Sequence, residues 1–470
     1  MLCLLLRLIT LYCLSLLLMS PAIGGEKIEV DLIMGGAYVV TMDKQQPVIR
    51  HGAVAIRAGN IIDVDSREKI TARYRASQQL AGSGMILMPG LINGHTHAAM
   101  TLFRGLADDI ALMEWLQHNI FPAEARFVDA DFVRIGTQLA CWEMIRGGTT
   151  TFVDNYFYPD VIARVTEQCG LRAIIGAPVI DFPSPGFKGW NDSFAAARAF
   201  VGQWKHHRLI TPAIAPHAPY TVKPEHLKAA SDVTRQLGVP MTIHVSETAH
   251  EVDEIKQRYG KRPVEHLEAY GVLNPSLITA HMVWPDANEI KLLATRGVSV
   301  IHNPGSNMKL ASGFAPVPEM LKAGVKLGLG TDGAASNNDL DMWEEIRLTA
   351  LIHKGHLLDP TVLPAAEVLR MATLGGAEAI GLADKIGAIT VGRRADLIQV
   401  RVTELAHALP LYNVISHLVY SVKSSDIVNV VVDGRILMRN QVVLTVDQRA
   451  VAVEANRLSL RIKRAITPTH

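Results

Sequence analysis

At 470 residues, 49% of them hydrophobic and 19% charged, the chain has the make-up of an ordinary folded protein, which excludes the disordered and collagen-like classes. A formal net charge of +1, with no continuous Lys/Arg stripe, argues against a nucleic-acid backbone as partner. The four cysteines, Cys3, Cys13, Cys141 and Cys169, have no CxxC spacing, which argues against a disulfide framework and a cysteine zinc site.

The chain begins with an apolar segment. Arg7 precedes the run Leu8–Leu18, and the small residues Ala22, Gly24 and Gly25 follow it. That order matches a secretory signal peptide. Leu2 to Met19 is also about long enough for a single membrane anchor if Arg7 reaches the interface. A late translation start at Met19 is the third reading. The protein is therefore expected in the cytoplasm if translation starts near Met19, and exported or membrane-anchored through residues 1–24 otherwise. A membrane partner is expected only for an uncleaved anchor, and residues 1–26 are set apart from the fold.

Short β-type runs follow at Val30–Met34, Ala37–Met42 and Ala53–Val64, the last punctuated by Gly59-Asn60 as a hairpin turn. The middle of the chain alternates strand and helix. Its candidate strands are Leu91–Gly94, Thr149–Asp154, Leu171–Ile175, Ile210–Ala215, Pro240–Val245, Leu277–His281, Val298–His302 and Val325–Asp332. Between them lie segments of helical periodicity, among them Ala123–Arg146, Pro224–Leu237 and Ala287–Thr295. Near the C-terminus Ala395–Val400 and Ile427–Met438 are again β-type, with Asp433-Gly434 as a hairpin turn. Eight strands alternating with helices predict an α/β fold, a closed parallel (β/α)8 barrel. The β-runs at the two ends can pair into one small domain. Residues 27–88 are expected to form the first part of this β-sandwich, 89–384 the barrel, and 385–470 the second part with the C-terminal tail.

In such a barrel the active site lies at the C-terminal ends of the strands. The first strand runs into His95-Thr96-His97, and residues two apart on a strand point to one face, so both imidazoles can grip one ion. The fifth strand ends in His244-Val245-Ser246-Glu247, the sixth in His281 and the eighth in Asp332. His95, His97, His244 and Asp332 together form a catalytic zinc set with a position left for water. Any one of these residues alone is more often incidental. Their occurrence at matching strand ends carries the expectation.

The motifs that carry a family resemblance are Pro89-Gly90-Leu91-Ile92-Asn93-Gly94-His95-Thr96-His97, Gly148-Thr149-Thr150-Thr151, His244-Val245-Ser246-Glu247-Thr248, and the runs 302–310, 330–338 and 387–397. The chain from about residue 28 onward resembles the amidohydrolase superfamily. Within it, the match is to the branch of methylthioadenosine/S-adenosylhomocysteine deaminases and related triazine chlorohydrolases. The resemblance implies a barrel carrying a β-sandwich built from both chain ends. It also implies one divalent metal ion per subunit, Zn2+ or Fe2+, because the fourth strand leads to Ala215-Pro216-His217 with no lysine to bridge a second metal.

The implied reaction is hydrolytic loss of ammonia from an adenosine derivative. The ion acidifies water, His281 and Asp332 help deprotonate it, and protonated Glu247 delivers a proton to the ring nitrogen. Glu124 matches the carboxylate that accepts the ribose hydroxyls, and His217 a substrate-contacting histidine. Glu124 can also be read as a carboxylate at a helix N-terminus, and Glu247 as a surface carboxylate. Met100, Phe103, Leu106, Met113 and Trp115 either cover an apolar arm of the substrate or form helix core. The arginine that relatives place near the substrate tail has no counterpart that the sequence identifies. His302 and Asn303 are expected to shape the pocket, and Trp284 either lines it or packs structurally. The expected partner is a small nucleoside, and a homo-oligomer stays open. Chlorohydrolysis or aminohydrolysis of triazines, free-base deamination of the guanine type and a non-catalytic scaffold are the competing readings; the scaffold predicts missing ligands, whereas every ligand residue is present.

Overall fold

The computed structural model describes residues 26–466. The apolar segment read as a signal, an anchor or a late start lies outside the described residues. Among them, no helix is long and apolar enough to cross a membrane.

Eight parallel strands form the central sheet: Leu91–Thr96, Thr149–Asn155, Arg172–Val179, Ile210–Pro216, Met241–Val245, Leu277–His281, Ser299–His302 and Lys326–Leu329. Each lies where the sequence predicts one. They are buried along almost their whole length, as strands covered on both faces must be. The seam between the first and eighth strands is joined by side chain as well as backbone. The Asn93 amide donates to Thr331 Oγ1 (2.7 Å) and accepts from the Thr331 N–H (3.1 Å), while the Asp332 N–H donates to the His95 carbonyl (3.0 Å). Gly330 makes this approach possible, since a Cβ there would stand 2.7 Å from the His95 nitrogen.

The predicted helix 123–146 is two helices, Phe121–Phe127 and Ala130–Gly147. Hydrophobic spacing continues across the break, but the Asp129 carboxylate accepts from the Phe132 N–H (2.8 Å) and starts a new helix as its N-cap. Just upstream, Trp115–Ile120 forms a π-helical turn. Pro224–Leu237 is a helix over the predicted range, and Ala287–Arg296 extends one residue past it.

The β-runs at the chain ends build two further sheets. Val442–Val443, Arg435–Arg439, Ile427–Val432, Leu397–Arg401, Met85–Pro89, Tyr38–Val40 and Val48–Arg50 form a seven-stranded sheet from both ends of the chain. Asn60–Ser66, Gly52–Arg57, Ile28–Gly35 and Tyr74–Leu80 form a four-stranded sheet from the N-terminal part alone. Leu32, Met34, Ile56, Leu87, Leu397 and Val431 fill the core between them.

A buried ion cluster ties this sandwich to the barrel. Arg172, at the start of the third barrel strand, donates to Asp396 through Nε (2.7 Å) and Nη2 (3.1 Å), and Nη2 reaches Asp433 at 3.4 Å. Removing one partner of a buried ion pair strands the other charge away from water. Arg172→Leu is accordingly expected to lower the unfolding free energy by about 3 kcal/mol, as read by denaturant titration. A loss indistinguishable from zero would show that the cluster does not hold the two parts together.

Candidate functional site

The side chains expected at the site converge at the C-terminal ends of the barrel strands. His95 and His97 follow from the first strand, His244 lies on the fifth and His281 ends the sixth; Asp332 lies just past the eighth. His281 (φ 72°), Asp332 (φ 64°) and Ser246 (φ 53°) all occupy the left-handed region, which side chains rarely adopt. Such strain concentrates where the surrounding structure must aim a side chain.

Ligand-type atoms of His95, His244, His281 and Asp332 all lie within 4.8 Å of one another, and all four residues are buried. His97 joins them, with Nε2 3.2 Å from Asp332 Oδ1 and 3.3 Å from His244 Nε2. The other ring nitrogens are committed elsewhere. His97 Nδ1 meets the Asn155 carbonyl at 2.6 Å, and His244 Nδ1 meets the His217 carbonyl at 2.7 Å. A carbonyl only accepts, so each Nδ1 carries its proton and each Nε2 turns a lone pair toward the cluster. Two ring nitrogens 3.3 Å apart, each with its Nδ1 proton committed to a carbonyl, need either a shared proton or a cation beside them. His95 Nε2 and Asp332 Oδ1, 3.3 Å apart, are buried without a hydrogen-bond partner. Three imidazoles and a carboxylate with unspent lone pairs fit one divalent metal ion, with zinc the borderline-soft ion that suits nitrogen and oxygen together.

The electrostatics divide the rings. Burial pulls His95 and His217 down to about 4 and His244 well below the usual imidazole range, so these rings are neutral at pH 7. Burial acts downward on His97 too, but Asp332, the Asn155 carbonyl and Asp154 outweigh it and push its pKa up to about 9. Burial raises Asp332, yet the neighbouring His95 and His97 hold it well below the carboxylate range.

Several positioning groups are not legible from sequence spacing. Ser306 and Ser336 each donate to Asp332 Oδ2 at 2.7 Å, pinning that oxygen and leaving Oδ1 facing the histidines. Asn307 Oδ1 lies 2.9 Å from His281 Nδ1. Buried Glu251 accepts from the Ser246 and Glu247 N–H groups, both at 2.8 Å, and burial pushes its carboxyl up to about 8. These residues lie within or beside the motif runs, but only the folded chain brings them to their targets.

A cavity of about 500 Å³ opens on the cluster. Glu247 lines it, 3.9 Å from His281 Nδ1, and burial raises its carboxyl above the ordinary value. Glu247 is thus a buried pocket residue and not a surface carboxylate. Glu124 and His217 line the same cavity. Burial pushes Glu124 up to about 7 against Tyr156 and His97, which act downward.

The open alternatives resolve residue by residue. Met100 and Trp115 line the cavity, whereas Phe103 packs at a tilt against Phe132 in the core (ring centroids 4.8 Å apart) and Leu106 and Met113 lie outside the lining. Trp284 is structural, its Nε1 donating to the Ser312 carbonyl (2.7 Å). His302 does not line the cavity, and its Nε2 lies 3.4 Å from that of His353.

Comparison with known proteins gives a consistent picture. Residues 86–437 match the amidohydrolase family. The chain is 47% identical over 435 residues to a 5-methylthioadenosine/S-adenosylhomocysteine deaminase of Syntrophobacter fumaroxidans, covering 93% of this chain and 99% of that one. It is 44% identical over 429 residues to a 5'-deoxyadenosine deaminase of Methanosarcina mazei, covering 91% and 97%. An adenosine deaminase from Xanthomonas campestris, solved with bound zinc, superposes with a TM-score of 0.91 at 42% identity, covering 93% of this chain and all of that one.

Proposed function

The chain belongs to the amidohydrolase family and is a hydrolase of carbon–nitrogen bonds, and from that premise we propose that it deaminates adenosine derivatives carrying a 5'-substituent, giving the inosine analogue and ammonia. The observation that carries the reading is the convergence of five metal-type ligands with Glu247 in one cavity whose wall also holds Glu124.

In this reading His95, His97, His244 and Asp332 hold one zinc ion. When bound, the ion supplies Lewis-acid chemistry that brings the pKa of water toward neutrality. Asp332, with Oδ2 fixed by two serine hydroxyls, uses Oδ1 to take a proton from the attacking water and pass it to the departing amino group. His281 accepts a hydrogen bond from the same water. Its Nδ1 is engaged by Asn307, which fixes the ring's orientation. Glu247, whose carboxyl burial raises above its ordinary value, gives a proton in its acid form to the ring nitrogen beside the reacting carbon. Glu251 holds the backbone that aims Glu247. Glu124 accepts the ribose hydroxyls, and His217 contacts the substrate while its carbonyl orients His244.

The direct test is ammonia release from 5'-methylthioadenosine. Catalytic turnover is expected, and bound metal without turnover of any adenosine derivative would refute the substrate class. The Glu124 assignment has its own test. Losing hydrogen bonds to a charged acceptor is expected to raise KM for nucleosides about 10- to 100-fold in Glu124→Ala, with kcat changed less. An unchanged KM would return Glu124 to a structural role.

A further inference from the structure

The wall of the cavity is chemically lopsided. Its ionisable side chains are the imidazoles of His97, His217, His244 and His281, the carboxyls of Glu124, Glu247 and Asp332, and tyrosine hydroxyls; among the described residues, no lysine or arginine lines it. Much of the rest of the wall is apolar. Leu112, Trp115, Leu116 and Ile120 come from one side, Phe182 and Pro183 from the loop after the third barrel strand. The π-helical turn makes the first wall continuous, because its wider spacing brings Trp115 and Ile120, five residues apart, to the same face. Phe121 connects the apolar and polar regions, its ring 6.0 Å from that of Phe182 and 6.4 Å from that of His217. Lys188 lies on the same loop as Phe182 but is exposed and outside the lining.

Glu124 stands one helical turn beyond Phe121 on the helix Phe121–Phe127. A ribose held by Glu124 therefore places its 5'-carbon within reach of Phe121 and the apolar wall. We infer that this wall is an uncharged subsite for the 5'-substituent, selecting a methylthio or methyl arm over the amino-acid arm of S-adenosylhomocysteine. The inference rests on the adenosine reading given above. A zwitterionic arm would bring a carboxylate to an apolar wall that offers it no lysine or arginine, so the water it loses there would not be replaced by a partner. A sulfur or methyl group loses nothing of that kind.

The test measures kcat/KM for 5'-methylthioadenosine, 5'-deoxyadenosine and S-adenosylhomocysteine on one sample of the metal-loaded full chain. The first two are expected to exceed the third by at least about tenfold. An S-adenosylhomocysteine value equal to or above the others overturns the inference and leaves the deaminase reading standing. Turnover of none of the three overturns the deaminase reading, and the inference falls with it. An arginine placed in the wall supplies the second arm. Phe182→Arg, or Ser184→Arg should the first variant fail to fold, is expected to raise the ratio of S-adenosylhomocysteine to 5'-methylthioadenosine turnover several-fold. An unchanged ratio in a folded arginine variant removes the 5'-arm from this wall.

Discussion

Asp332→Asn is expected to lower kcat by about 10³-fold or more and to weaken metal retention in the same protein. The reason lies in the charge balance of the cluster. Four imidazoles surround one carboxylate: His95 and His97 bring Nε2 to 3.3 and 3.2 Å from Asp332 Oδ1, and ligand atoms of His244 and His281 lie within 4.8 Å of it. Asn keeps the shape and can still accept from Ser306 or Ser336, but it carries no negative charge and cannot take a proton. A residue that is both ligand and proton carrier loses both roles in one substitution. Metal content by atomic absorption, measured beside turnover, separates the two losses. Wild-type turnover in a folded Asp332→Asn protein would remove Asp332 from the chemistry.

Glu247→Gln is expected to keep the metal and to lose turnover by about 10²- to 10⁴-fold, the usual worth of a positioned acid. Glu247 is neither in the group of ligand atoms within 4.8 Å of one another nor among the residues proposed to hold the ion, so its replacement is expected to leave the metal's donors in place. The amide can form hydrogen bonds with the substrate but cannot deliver a proton to the ring. KM should therefore move little while kcat collapses, the pattern of an interaction made only in the transition state. Loss of bound metal in Glu247→Gln would instead point to a structural failure of the loop that Glu251 secures.

The barrel was legible because buried parallel strands read as short apolar runs, and four of the eight run into a residue with chemistry: His97, His244, His281 and Asp332. The metal-type residues were legible for the same reason, since a strand end fixes where a side chain points. Features that depend on partners distant in sequence were not. Ser306 reaches Asp332 across 26 residues, and nothing in its own surroundings distinguishes it from an ordinary helix serine. Tyr74–Leu80 is a strand with mostly polar, exposed side chains, held at a sheet edge by parallel pairing to Ile28–Gly35, so its own pattern shows no alternation. The break at Asp129 hides inside uninterrupted hydrophobic spacing because one carboxylate cap decides it. The π-helical turn is equally silent, yet it shapes the cavity wall.

The central claim is that one metal ion, held by the histidines and Asp332, serves a deaminase of adenosine derivatives. The measurement that bears on it most directly is ammonia release from 5'-methylthioadenosine by the same preparation before chelation, after chelation and after zinc is returned, with bound metal determined at each stage. The account predicts turnover that vanishes as the metal is stripped and returns as about one ion per chain is restored. Undiminished turnover by protein shown to be free of metal would contradict it.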